Sequence, residues 1–201
     1  VVACALWHID WRSLSLSSCR VAVELLKGCV CDSRLYGSAT YAIKELFSRT
    51  DLIADGECAS LIRLAIGEYK NWRPEEKSFS GSDWLTLSIN HPIGRLATSL
   101  LGFSRRIARE RDDGLNREIE LLFGELLLAS MCDREAGNCF ATIVFSEANY
   151  WIDTVHDTFS SKILPLLEED SGYAQGAWCG LNYLSVLSEE LWRNIRVYWR
   201  Q

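Results

Sequence analysis

Apolar residues recur every three or four positions along most of this chain, which is the spacing of one face of an α-helix. The pattern is clearest between residues 82 and 111. After His91 and Pro92, one helical face carries Ile93, Leu96, Ala97, Leu100, Leu101, Ile107 and Ala108. The opposite face carries Arg95, Ser99, Gly102, Arg106 and Arg109. Pro92 fits a first helical turn because its missing N–H is not needed there, and Asn90 or His91 would cap that turn. We expect this helix to be the central rod of the fold.

The same period predicts further helices on both sides of the rod. Cys4, Trp7, His8 and Trp11 share the spacing of a first helix. Two later helices are expected to begin at caps, one at Ser17 or Ser18 and one at Asp55. Another is expected to begin at Asp157 or Thr158 and to run to about residue 167. The remaining helices are expected over 38–48, 83–89, 115–131, 135–150, 173–187 and 188–200. The apolar face of 115–131 is broad enough that this helix should be covered on most sides.

No segment with the two-residue period of a β-strand stands out, so we predict an all-α fold of stacked antiparallel helices. Helix starts near 18, 56, 92 and 135 recur at intervals of about 40 residues, as in an α-solenoid-like helical repeat array. Residues 73–82 mix proline, glycine, serine and charge, which predicts a surface loop. This loop separates an N-terminal helical segment, 1–72, from a helical domain, 83–201, that continues the first.

Composition narrows the range of functions. The net charge of −6 predicts no general attraction to nucleic acid or to an anionic membrane. No run of 18 apolar residues is present, so a membrane span is not expected. Without a secretion signal we expect a cytoplasmic protein whose eight cysteines serve as small apolar core residues. The start without methionine, inside a helical pattern, suggests a piece of a longer protein.

The sequence shows no convincing catalytic or metal-binding constellation. Cys4 and His8 lie one helical turn apart, but the chain offers no matching second pair and no C-x-x-C. Asp153 and His156 form half of a carboxylate di-metal motif without a second copy. No nucleophile elbow, dinucleotide fingerprint or phosphate loop occurs. We therefore expect no catalytic residue, no cofactor and no metal; a small enzyme built around Asp153 and His156 is the least favoured alternative.

Two clusters remain as candidate binding sites. Arginines gather at the end of the central rod, at positions 105, 106, 109 and 111, and Arg105, Arg106 and Arg109 are candidates for binding an anion such as a phosphate backbone. The simpler explanation is that these cations complement the helix dipole. In the last helix, Leu191, Trp192, Ile195, Tyr198 and Trp199 share a face. Trp192, Arg196 and Trp199 are candidates for partner binding, since Trp and Arg are common interface anchors; packing within the fold is the alternative.

Two segments resemble a known family. The stretch WLTLSINHPIGRLA, Trp84–Ala97, and the run ILPLLEEDSGYAQGAWCGLNYL, Ile163–Leu184, are similar to blocks of an uncharacterised helical domain family. Its members lie C-terminal to sirtuin-like domains in large bacterial proteins, many of them associated with antiphage defence. The resemblance spans about residues 83–184 and transfers no catalytic residue to this chain.

The resemblance implies a non-catalytic scaffold or sensor region of a larger sirtuin-like, NAD-hydrolysing defence protein. Such a region would act through protein–protein contacts or autoinhibition. Its expected partners are the other domains of the parent chain, a phage protein trigger and further copies in an oligomeric assembly. The alternative is a nucleic-acid-associated helical domain that uses the arginines between Arg105 and Arg111.

Overall fold

The computed structural model describes residues 10, 13–49, 53–72, 83–108 and 113–199. Within these ranges the chain forms eleven α-helices and no β-strand, so the all-α fold class is confirmed. The predicted first helix through Cys4 and Trp11 and the predicted loop at 73–82 lie outside the described residues.

The helices follow one another through short joints. They are α1 (Leu16–Val30), α2 (Tyr36–Arg49), α3 (Asp55–Glu68), α4 (Trp84–Asn90), α5 (Pro92–Ile107), α6 (Asp113–Ser130), α7 (Arg134–Ser146), α8 (Ala148–Thr154), α9 (His156–Thr158), α10 (Ala174–Asn182) and α11 (Glu189–Ile195). After α9 the chain continues as a π-helical turn and then a 3-10 turn, Leu164–Leu167, which contains Pro165. The helix predicted over 135–150 is interrupted at Glu147.

Side-chain caps fix several helix starts. Asp83 and Ser188 cap α4 and α11 by accepting hydrogen bonds from the backbone N–H groups of Thr86 and Leu191. The start of α1 differs from the prediction, because Ser15 rather than Ser17 or Ser18 is the cap. At α3 the cap position is Ala54, and Asp55 lies in the first turn, where its negative charge favours the positive end of the helix dipole.

The contacts divide the chain into two compact units. The first contains residues 1–78 and 95–129, and the second contains 79–94 and 130–201. The first unit thus combines stretches from before and after the predicted loop at 73–82, and one division between the units falls within α5. Whether the chain is one continuous helical domain stays a prediction.

The first unit packs α1, α2 and α3 against one another around an aliphatic core. Tyr36 reaches from α2 to α3, where its hydroxyl donates to the carbonyl of Ala65. Burial, with the nearby charge of Glu68 as a smaller cause, raises the pKa of Tyr36 well above its ordinary value. The phenol therefore stays a hydrogen-bond donor throughout the pH range in which the protein is handled.

Both faces of α5 are covered within the first unit, not only the apolar one. Arg95 is buried, its Nη1 donates to the carbonyl of Gly37 at 2.7 Å, and its guanidinium lies 5.4 Å from the ring centroid of Tyr41. Ser99 is also buried and donates to the carbonyl of Arg95 at 2.8 Å. These contacts give the Arg95 guanidinium and the Ser99 hydroxyl hydrogen-bond partners inside the protein. The polar face of α5 can therefore be buried without leaving those groups unpaired.

Helix α6 is less covered than its sequence predicts. Leu121 and Leu128 are exposed, which corrects the expectation of a helix buried on most sides. Arg63 of α3 lies 2.9 Å from Glu118 and 3.2 Å from Glu125, two turns apart on α6. The ion pairs direct one side of α6 toward α3, and the leucines on another side remain at the surface.

The central helix of the second unit is α7, in which every residue from Ala136 to Phe145 is buried. It packs against α10 and α4. At the α7–α10 contact, a Cβ on Gly176 would lie 2.7 Å from the Cα of Asn138, so only glycine allows this approach. The Asn138 amide donates to the carbonyls of Arg134 and Gly172 and accepts from the N–H of Gly176. In this unit α7 is the most deeply buried helix.

The sequence His91-Pro92-Ile93-Gly94 forms a tight corner between α4 and α5. His91 is buried, and its Nδ1 accepts from the N–H of Ile93 at 3.2 Å, which agrees with the predicted capping role. Pro92 is the first residue of α5. A Cβ on Gly94 would overlap the backbone carbonyl of Ser88 in α4. The motif therefore has a structural explanation in the close joint between α4 and α5.

Candidate functional site

The predicted stripe on the last helix separates into a buried part and an exposed part. Helix α11 ends at Ile195, and residues 196–199 form a turn rather than the predicted continuation to residue 200. Leu191 and Ile195 are buried in the core of the second unit. Trp192 and Trp199 are 40% and 64% exposed, respectively. The two tryptophans therefore form a surface feature, while the aliphatic residues hold the helix in place.

Trp199 contacts two other indole rings edge to face. Its ring centroid lies 5.4 Å from that of Trp178, with an interplanar angle of 76°, and 6.2 Å from that of Trp192, with an angle of 67°. Edge-to-face contacts of this kind stabilise aromatic pairs beyond their buried area. We call these three residues the tryptophan cluster.

Trp178 is the fixed member of the tryptophan cluster. It lies on α10, is half-buried, and its Nε1 donates to the carbonyl of Leu167 at 3.2 Å. This hydrogen bond restricts the orientation of the indole and provides a rigid edge for the neighbouring ring. Sequence reasoning missed Trp178, because it is 21 residues away from Trp199 and on a different helix; the Trp in the Ala-Trp-Cys-Gly segment was the available signal.

Two surface grooves meet at Trp199. The first has a volume of about 510 Å³ and is lined by Leu167, Glu169, Ala174, Gln175, Trp178, Tyr198 and Trp199. The second, of about 740 Å³, is lined by Trp192, Arg196, Val197 and Trp199. The predicted partner-binding residues Trp192, Arg196 and Trp199 are thus brought together in the second groove. That they bind a partner stays a prediction.

The two grooves differ in charge. Exposed carboxylates occur at Glu168, Glu169 and Asp170, and Glu169 lines the first groove. Partial burial, and to a smaller extent the negative charge of Glu168, raise the pKa of Tyr198, so its phenol stays neutral beside the carboxylates. Arg196 is exposed and lines the second groove. The first groove is aromatic and acidic, whereas the second is aromatic and basic.

The predicted arginine cluster is only partly assembled by the described residues. Arg105 is exposed, and Arg109 lies outside the described residues. Arg106 forms an ion pair with Asp55, donates to the Sγ of Cys58 at 3.2 Å and lies 5.5 Å from the ring centroid of Phe103. These contacts connect α5 to α3 inside the first unit. Anion binding by Arg105, Arg106 and Arg109 stays a prediction.

The remaining titratable candidates do not converge. His156 and Asp157 are exposed neighbours whose Nδ1 and Oδ1 lie 3.2 Å apart, and Asp153 is exposed as well. Among the described side chains, no group of three or more His, Cys, Asp or Glu residues is placed to hold a metal ion. Likewise, none of the helices in the described ranges has the length and apolar character needed to cross a bilayer.

Comparison with protein-family profiles, with curated proteins and with solved structures found no match to this chain. The resemblance to the sirtuin-associated helical family therefore stays a prediction. The geometry of the second unit is the remaining basis for assigning a functional surface.

Proposed function

We propose that this chain is a non-catalytic helical scaffold or sensor region that binds a protein partner through the tryptophan cluster. The observation that carries the proposal is the exposure of Trp192 and Trp199 beside two grooves. Large aromatic rings grouped at a surface are typical of protein–protein interfaces, in which Trp and Arg contribute most of the binding energy.

The resemblance suggests a setting for this binding. The chain would be part of a larger cytoplasmic bacterial defence protein, arranged as an α-solenoid-like array of helices. A sirtuin-like part of that protein would hydrolyse NAD, and this region would hold it inactive or recognise a phage trigger. The partner would then be another domain of the parent, a second copy or a phage protein.

A photo-crosslinking amino acid placed at position 199 tests the proposal in the full-length parent protein. We expect polypeptide cross-links from position 199 and not from position 128. Leu128, on α6 of the other unit, is the control for exposure alone, since it is 75% exposed against 64% for Trp199. Replacing Trp192 with alanine should reduce the cross-link at 199 about tenfold or more, as is usual for an interface anchor. Equal cross-linking at 199 and 128, or no polypeptide cross-link at 199, would contradict the proposal.

The alternative function, nucleic-acid binding, depends on the arginines between Arg105 and Arg111 rather than on the tryptophan cluster. It needs several arginines of the Arg105–Arg111 segment to face phosphates, and Arg106 is engaged with Asp55. If nucleic acid binds, its affinity should fall steeply with salt and should decrease in an Arg105→Ala variant. The geometry favours the tryptophan cluster over this alternative.

A further inference from the structure

The first groove combines aromatic rings with negative charge. Trp178, Tyr198 and Trp199 line it together with Glu169, and the neighbouring residues Glu168 and Asp170 are also exposed acids. An edge-to-face pair covers one face of only one of its rings, so the contact between Trp178 and Trp199 leaves aromatic surface to line the groove. Such a lining attracts cations through the ring quadrupole and through the carboxylate.

The apolar part of the lining suits a long side chain with a charged end. Leu167 and Ala174 also line the first groove, together with the polar side chain of Gln175. Arginine carries an apolar stem and a planar guanidinium that stacks on aromatic faces and pairs with carboxylates. The volume of about 510 Å³ exceeds that of one side chain and leaves room for flanking residues of a peptide.

We infer that the first groove binds an arginine side chain of a partner polypeptide, with the guanidinium held by the aromatic rings and Glu169. This inference rests on the proposed function and specifies the chemistry of the partner at that surface. Arg196 lines the second groove and is not among the residues that line the first. The partner segment is therefore expected to be basic where it enters the first groove.

Capped pentapeptides provide the probe. One peptide carries a central arginine between small residues, and a second carries citrulline, which has nearly the same shape and no charge. Binding is followed through the indole N–H signals of Trp178 and Trp199 in NMR spectra of the whole chain, assigned with Trp→Phe variants. We expect the arginine peptide to shift both signals and to bind about 5- to 20-fold more tightly than the citrulline peptide.

Charge-neutralising variants distinguish the effect of the groove carboxylate on peptide binding from the effect of the net charge of the protein. Glu169→Gln should weaken binding of the arginine peptide about 3- to 10-fold and leave binding of the citrulline peptide unchanged. Glu190→Gln removes the same charge from an exposed position on α11 and should leave the binding of both peptides unchanged. Equal effects of the two variants would overturn the inference, because the attraction would then be non-specific.

The two experiments distinguish failure of the inference from failure of the proposed function. Equal binding of both peptides, or no shift of either indole signal, overturns arginine recognition even when cross-links from position 199 persist. Self-association that depends on Trp199 and is not displaced by the arginine peptide also overturns it, because a second copy would then occupy the groove. Loss of the position-199 cross-link contradicts the proposed function itself.

Discussion

Asn138 is a fully buried polar side chain whose amide nitrogen donates hydrogen bonds and whose amide oxygen accepts one. Its Nδ2 lies 2.9 Å from the Arg134 carbonyl and 3.1 Å from the Gly172 carbonyl, and its Oδ1 accepts from the Gly176 N–H at 2.7 Å. Two of these hydrogen bonds reach outside α7. A buried amide with fully used hydrogen-bonding groups specifies one arrangement of its neighbours and is costly to remove.

Replacing Asn138 with alanine should destabilise the protein by roughly 2–4 kcal/mol, because it leaves buried backbone groups without their partner and opens a small cavity. Asn90→Ala is the matched control. Asn90 is exposed and donates only to the carbonyl one turn earlier, so its loss should cost less than about 0.5 kcal/mol. Urea unfolding followed by circular dichroism measures both values, and similar costs would contradict the assigned role.

At the scale of single helices, the corner between α4 and α5 explains the sequence His91-Pro92-Ile93-Gly94. His91 caps the corner, Pro92 begins the second helix, and Gly94 allows the close approach to Ser88. The sequence could predict the cap and the proline because both depend on neighbouring residues. It could not predict the role of Gly94, because that role depends on how closely the Gly94 backbone approaches Ser88 of α4 in the folded chain.

Gly94→Ala should destabilise the protein by about 2–3 kcal/mol, since the added methyl group meets rigid backbone rather than a movable side chain. Gly67→Ala provides the control. Gly67 is in α3 and a methyl group there would meet no atom within 4 Å, so alanine should stabilise the protein by about 0.5–1 kcal/mol through helix propensity. Changes of the same sign in thermal unfolding would show that the corner has more room than described.

The sequence predicted where helices occur better than it predicted how deeply each helix is buried. The three- to four-residue spacing of apolar residues located most helix starts to within about two residues, because that signal is local. The predicted ends at 187 and 200 were wrong, since these helices end at Asn182 and Ile195. The sequence predicted that α6 would be covered on most sides, whereas Leu121 and Leu128 of α6 are exposed and residues 136–145 of α7 are buried. Gly176 and Gly180 of α10 allow its close approach to α7, and that complementarity belongs to two distant segments. The pairing of Trp178 with Trp199 was missed for the same reason.

At the scale of the whole molecule, the thiols differ widely in environment. Cys31 and Cys132 are exposed, whereas Cys58 and Cys139 are buried. Burial raises the pKa of Cys58 to about 11, although Arg106 opposes the shift, and raises the pKa of Cys139 to about 12. In the unfolded chain a thiol titrates near about pH 8.5, so folding keeps protons on these two sulfurs.

Stability should therefore decrease as the pH rises from about 8 to 9.5, because the unfolded state releases thiol protons that the native state retains. The slope should approach about 1.4 kcal/mol per pH unit for each buried thiol that has ionised on unfolding. Urea midpoints across this range, below the titration of tyrosine and lysine, measure the effect. Cys139→Ala should reduce the slope and Cys31→Ala should not; a slope independent of Cys139 would contradict this account.

The meeting of α7 and α10 constrains how this protein can change over evolutionary time. Position 176 requires glycine because the backbone at Asn138 is close. Position 138 requires an amide side chain because the Gly176 N–H and the Gly172 carbonyl both hydrogen-bond to it. A larger residue at position 176 would become acceptable only after the helices had moved apart, which would in turn remove the need for asparagine. Related chains should therefore differ at positions 138 and 176 together, and a chimera that exchanges only one of the two helices should fold poorly.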